Sequence, residues 1–138
     1  MKKKRIYQKK YVFTYGTLKR GFVNNYFLND AIFIDTAITC DKFQMYPCTG
    51  FGYPFVIKSE KNNQIKGEVF EIQSQEQEDS LDMLEGVPCL YIKEIIKVEL
   101  KSGKIIDALI YIKNEKNHIN FMDRSVPLIE WNLNTLGN

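Results

Sequence analysis

The sequence predicts an α+β domain: a small, mixed, mainly antiparallel β-barrel with one or two helices at its flank. Three observations carry this. The chain has 138 residues, 44% of them apolar, which suits one domain with one core. About six short segments rich in β-branched and aromatic residues are separated by short polar or glycine-containing connections. A single Gln/Glu/Leu/Met-rich segment interrupts them, and these residues favour helix. Strands in sequence with a helix between them fit an antiparallel barrel with the helix packed on its side.

Tyr11-Val12-Phe13-Thr14-Tyr15 reads as the first strand, ended by Gly16, with a loop running on to Gly21. Asn24-Asn25 is placed to cap a short helix reaching Asp30. Residues 31–46 alternate loosely and suggest one long strand or two short ones. Phe55-Val56-Ile57 and Lys66 to Ile72 follow as strands. Ser74 with Gln77 has the spacing of a capping box, opening a helix that Gly86 and Pro88 close. From Tyr91 to Leu100, Ile92, Ile96, Val98 and Leu100 share one face while Lys93 and Lys97 take the other. Lys101-Ser102-Gly103-Lys104 predicts a hairpin turn, with Ile105 to Ile112 returning. Residues 1–10 are expected to form a basic, disordered extension, and residues 11–138 one domain. The tail from Ser125, with Pro127 and Trp131, carries no pattern that places it.

Composition narrows the function classes. Mean hydropathy is -0.31, and no apolar run approaches the roughly 18 residues of a membrane helix. The basic start, Met1 to Arg5, is followed by Gln8, Lys9 and Lys10 rather than an apolar core, so it is not read as a signal peptide. The reading is a cytoplasmic protein with no membrane partner. Net charge is +2, but Lys2, Lys3, Lys4, Arg5, Lys9 and Lys10 all lie in the first ten residues, leaving 13 basic against 17 acidic groups elsewhere. An acidic body is a poor polyanion binder, so no nucleic-acid partner is expected. Cys40, Cys48 and Cys89 form no C-x-x-C, and His118 is the sole histidine. That spacing gives no zinc site and no Cys–His dyad.

Two segments carry candidate chemistry. In Tyr15-Gly16-Thr17-Leu18-Lys19-Arg20-Gly21 a strand runs into a glycine turn, which can aim successive backbone N–H groups at one anion. An ordinary strand-ending turn accounts for the same residues when they are taken alone. In Leu81-Asp82-Met83-Leu84-Glu85-Gly86 the helix carries Leu81, Leu84 and Glu85 on one stripe. Glu85 sits at the negative end of the helix dipole. Partial burial there disfavours its charged form and raises its pKa. A surface glutamate in a fraying last turn is the plain alternative. Asp82 and Glu78 are nearby carboxylates, with Asp82 on the far side of the Leu81/Glu85 stripe.

Taken in order, Tyr15 to Gly21, Tyr53-Pro54, Gly67-Glu68-Val69-Phe70 and Leu81-Asp82-x-x-Glu85-Gly86-x-Pro88-x-x-Tyr91 resemble the γ-glutamylcyclotransferase-like superfamily, most closely its γ-glutamylamine cyclotransferase branch. The resemblance spans roughly residues 11–112 and implies a small mixed barrel. It implies that Tyr15, Gly16, Thr17 and Leu18 hold the substrate's α-carboxylate and that Glu85 is the catalytic base. It also implies that Tyr53, Tyr91 and Tyr111 line the pocket. The implied reaction is attack of the substrate's α-amine on its own γ-glutamyl carbonyl, an acyl transfer releasing 5-oxoproline and an amine. It calls for no cofactor and no metal. The chain departs from the pattern at Ile34-Asp35-Thr36, where family members often carry glycine, and in the longer loop Cys48 to Gly52. The leaving amine and the oligomeric state are therefore left open. A non-catalytic γ-glutamyl-binding module of the same fold is the alternative reading. A nucleic-acid-binding barrel using the basic start and the aromatics is a third.

Overall fold

The computed structural model describes residues 7–47, 54–58, 64–114 and 128–131. Seven strands and one α-helix appear among them: β1 (Lys10–Thr14), β2 (Ile32–Thr39), β3 (Phe43–Pro47), β4 (Pro54–Lys58), β5 (Lys66–Ile72), α1 (Gln75–Glu85), β6 (Tyr91–Leu100) and β7 (Ile105–Lys113). Residues 31–46 thus form two strands rather than one. The predicted short helix is a single 3-10 turn, Asn25–Leu28.

Strands in the order β1-β5-β2-β6-β7 close a barrel. Every neighbour is antiparallel except β1 with β7, which meet in parallel at Val12 and Leu109. Closure removes the unpaired sheet edges that invite aggregation. Strands β3 and β4 form a separate two-stranded sheet, tied to the chain's end where Met45 bridges Leu128.

Period-2 alternation gives each barrel strand two faces, and both faces are used. Phe13, Val69, Ile96, Val98, Ile110 and Ile112 belong to a core that fills the barrel and takes in Trp131. Their neighbours Val12, Phe70, Ile72, Leu109 and Tyr111 belong to a second core that also holds Leu81 of α1 and Leu28. That is why β7 is buried along nearly its whole second half rather than at alternate residues. Contact with the folded domain begins ahead of residue 11, because Tyr7 and Lys10 both reach Glu78 of α1. Residues 1–6 lie outside the described residues.

The helix that carries Glu85 is fixed at both ends. Ser74 Oγ accepts from the Gln77 N–H at 3.1 Å, satisfying one of the unpaired donors of the first turn. The return arm of the box reaches one residue further out than expected: Gln77 Oε1 accepts from the Gln73 N–H at 3.0 Å. Gly86 adopts φ 64°, and its N–H donates to the carbonyls of Asp82 and Met83. This left-handed cap stops the helix at Glu85.

Candidate active site

At one rim of the barrel, five parts of the chain enclose a cavity of about 230 Å³. The end of β1 brings Phe13, Thr14 and Tyr15, and the loop beyond it brings Gly16, Thr17, Leu18 and Asn24. The end of α1 brings Leu84 and Glu85, and the chain that follows brings Leu90 just ahead of β6, Tyr91 of β6 and Tyr111 of β7. Pro54 of β4 closes the wall. Glu85, Tyr15, Gly16, Thr17, Leu18, Tyr91 and Tyr111 therefore share one cavity, although they span 97 positions of the chain. Tyr53 lies outside the described residues, as does His118.

The loop is held from behind. Lys19 N–H donates to the Gly16 carbonyl at 3.1 Å, and Asn24 N–H to the Thr17 carbonyl at 2.9 Å. Asn24 Nδ2 donates to Thr17 Oγ1 at 2.8 Å, and Asn25 Nδ2 to the Leu18 carbonyl at 2.8 Å. The two asparagines thus brace the loop instead of capping the short helix, where Asn24 makes no side-chain cap bond. Among the described residues, nothing accepts from the N–H groups of Gly16, Thr17 or Leu18. Unpaired donors on residues that line a cavity suit an anion. Gly16 is dictated by crowding, since a Cβ there would lie 2.9 Å from Pro54 Cδ. Lys19 and Arg20 are engaged elsewhere. Lys19 is buried and donates to the Trp131 carbonyl. Arg20 pairs with Glu68 and lies 3.6 Å over the Phe33 ring.

Burial raises the Glu85 carboxyl to about 7. Leu84, Leu90 and the tyrosine rings around the cavity supply little to solvate a charge. Burial also holds Tyr15 and Tyr111 well above the usual phenol range; the Glu85 charge adds to it at Tyr15, and at Tyr111 the Asp82 hydrogen bond and charge add more than Glu85 does. All three cavity tyrosines direct their O–H protons into the protein. Tyr15 donates to the Tyr111 carbonyl, Tyr91 to the Pro54 carbonyl at 3.1 Å, and Tyr111 to Asp82 Oδ1 at 2.6 Å. Their phenol oxygens can then only accept from a ligand.

Behind Tyr111 lies a charged network that the linear pattern did not reveal. Lys93 Nζ donates to Asp82 Oδ2 at 2.8 Å and to Glu78 Oε2 at 2.6 Å. Glu78 is buried and also accepts from Tyr7 and Lys10, both at 2.9 Å. Burial alone would raise the Glu78 carboxyl, but hydrogen bonds from Lys93, Lys10 and Tyr7 prevail and hold it at about 2. No group of three or more potential metal ligands occurs among the described residues. No helix among them is long and apolar enough to cross a membrane.

Residues 12–133 match the family described as "Gamma-glutamyl cyclotransferase, AIG2-like". The chain belongs to that family. A Methanocaldococcus jannaschii protein called "Putative gamma-glutamylcyclotransferase" is 37% identical over 76% of this chain and 85% of its own length. Gamma-glutamylaminecyclotransferase C of Danio rerio is 30% identical over 75% of this chain and 74% of its own length. The fold is that of a crystallised AIG2-like protein from Mus musculus, with a TM-score of 0.79 at 20% identity over 91% of this chain and 90% of that one. The family match covers the whole cavity from Phe13 to Tyr111, together with Glu78, Asp82 and Lys93 behind it.

Sequence reasoning missed Phe13, Thr14, Asn24, Pro54, Leu84 and Leu90 as cavity residues. Asn24 had a signal of sorts, because a second asparagine beside it made the helix cap redundant. Leu84 and Leu90 are ordinary apolar residues, and only the path of the backbone turns them toward the site.

Proposed function

We infer that the protein is a γ-glutamyl(amine) cyclotransferase. The substrate's α-amine attacks its own γ-carbonyl, and the C–N bond that forms closes the five-membered ring. The amine's proton passes to Glu85. Glu85 returns it to the departing nitrogen as the old amide C–N bond breaks, releasing 5-oxoproline and a free amine. Because the nucleophile is tethered to the carbonyl it attacks, the cavity's main task is to fold the substrate into an attacking shape.

The observation that supports this most is the raised pKa of Glu85 inside a cavity with separate donors and acceptors. An α-amine has a pKa of about 8 and an ordinary glutamate about 4.3, so proton transfer between them is uphill by about 5 kcal/mol. With Glu85 at about 7, the gap falls to roughly 1 unit, or about 1.4 kcal/mol. The unpaired N–H groups of Gly16 to Leu18 match the α-carboxylate, and the accepting phenol oxygens match the α-ammonium. A carboxylate and an amine on one carbon are the head of a γ-glutamyl group.

The test is release of 5-oxoproline from γ-glutamyl-amines, γ-glutamyl amino acids and glutathione. Glu85→Gln keeps the shape and removes the base, so turnover is expected to fall by about 10²–10⁴-fold, the usual range for a general base. A folded Glu85→Gln protein with full turnover would sink the reading.

A further inference from the structure

Asp82 lines no part of the cavity, and the scheme above gives it no task. Yet its carboxylate is bonded to the hydroxyl of a cavity tyrosine. Tyr111 O–H donates to Asp82 Oδ1 at 2.6 Å, and Lys93 Nζ holds the other carboxylate oxygen at 2.8 Å. Lys93 is itself fixed by buried Glu78 at 2.6 Å. A phenol has one proton. Directed at an ionised carboxylate, that proton makes a short charge-assisted bond and stays out of the cavity. Whatever side of the Tyr111 oxygen is left for a ligand then carries lone pairs only.

The geometry points to Asp82 as a positioning residue that, through Tyr111, makes the cavity select ligands bearing an α-ammonium. This rests on the cyclotransferase reading for the identity of the ligand. Lys93 and Glu78 form the rear anchor, fixing which carboxylate oxygen faces Tyr111.

The substitution Asp82→Asn tests the polarity of this bond. The ammonium of Lys93 is the stronger donor and takes the amide oxygen, turning the amide NH₂ toward Tyr111. The tyrosine oxygen then accepts from the amide, and its O–H swings into the cavity, where it opposes an ammonium. Tyr111→Phe removes the acceptor and leaves the Asp82–Lys93 pair intact.

Binding is measured by calorimetry with two probes, γ-glutamyl-n-butylamide and glutaric acid mono-n-butylamide, which lacks only the α-amine. The measurements use the Glu85→Gln background, which blocks turnover and removes the carboxylate's own pull on the ammonium. The parent is expected to prefer the amine-bearing probe. Asp82→Asn and Tyr111→Phe should each reduce that preference about tenfold, the scale of one hydrogen bond to a charged group. Together they should reduce it no further, because the two act through one oxygen. Affinity for the probe without the amine should change little, which a loosened cavity would not reproduce.

A preference unchanged in Asp82→Asn, or two losses that multiply in the double variant, would overturn the inference. Should Asp82→Asn fail to give a cooperative melt, Tyr111→Phe decides alone, and retained preference there overturns it. The two readings fail differently. A wild-type protein that shows the amine preference but releases no 5-oxoproline loses the cyclotransferase reading and keeps this one. Turnover with an unaltered preference does the reverse, and a protein that binds neither probe and releases no 5-oxoproline loses both.

Discussion

The raised pKa of Glu85 has a consequence for stability that can be measured without any substrate. A carboxyl whose folded-state pKa lies above its unfolded value binds its proton more tightly in the folded chain. The folded state is then favoured below the unfolded pKa and loses stability as pH rises toward the folded one. For Glu85 the window runs from 4.5 to about 7. That rise corresponds to about 3 kcal/mol carried by the charged form above pH 7. This is an upper value, because Glu85 keeps some contact with water at the cavity mouth. Glutamine has the same shape and no charge. Glu85→Gln should therefore match wild type within about 0.5 kcal/mol at pH 4, and exceed it by about 2–3 kcal/mol at pH 8. For a domain of this size that gain shifts Tm upward by roughly 5–10 °C. Urea unfolding of both proteins at the two pH values provides the comparison. An equal difference at pH 4 and pH 8 would refute the reasoning, since burial would then not be opposing the charge. The same variant should lose turnover, so stability gained and activity lost at one residue would mark strain held for function.

Three further outcomes follow from the geometry. Gly16→Ala places a Cβ 2.9 Å from Pro54 Cδ, so the cavity wall must shift; thermal melts should show a cost of about 1–3 kcal/mol, and KM for γ-glutamyl substrates should rise. Glu78 is held at about 2 by Lys93, Lys10 and Tyr7; a lowered carboxyl contributes stability above 4.5 and loses it as pH falls toward 2. Acid titration of the fold should accordingly show a loss over that window that is absent in Glu78→Gln. Ser74→Ala removes the oxygen accepting from Gln77 N–H and should cost about 1 kcal/mol by urea unfolding, with an unchanged Glu85 titration if α1 keeps its length.

Much of the frame could be read from local pattern, because local physics decides it. Ser74 and Gly86 bound α1 through a side-chain acceptor and a left-handed backbone, both short-range effects. The β6–β7 hairpin follows from alternation on either side of Ser102-Gly103, and its register runs from Tyr91↔Lys113 to Glu99↔Ile105. Residues 31–46 were ambiguous for a physical reason. The break between β2 and β3 at Cys40 to Lys42 contains no glycine or proline, so composition leaves no mark. Asp82 illustrates the opposite limit. Helical spacing put it off the Leu81/Glu85 stripe, and that is where it lies. Spacing could not show that Lys93 from β6 and Tyr111 from β7 meet it there, 11 and 29 residues along the chain.

What the sequence determined by itself was therefore most of the strands, the end of α1 at Glu85, the glycine loop after β1, and membership of a recognisable pattern. These depend on residues within a few positions of one another. Only the tertiary structure decided that the glycine loop and Glu85 face one cavity. It also decided that the tyrosine protons are taken up by protein acceptors, and that a chain of buried Glu78 with part-buried Lys93 and Asp82 stands behind Tyr111. Those facts depend on barrel closure, which brings β1 beside β7 and wraps β5, β6 and β7 under the helix. No local propensity encodes which strands become neighbours when a sheet closes on itself.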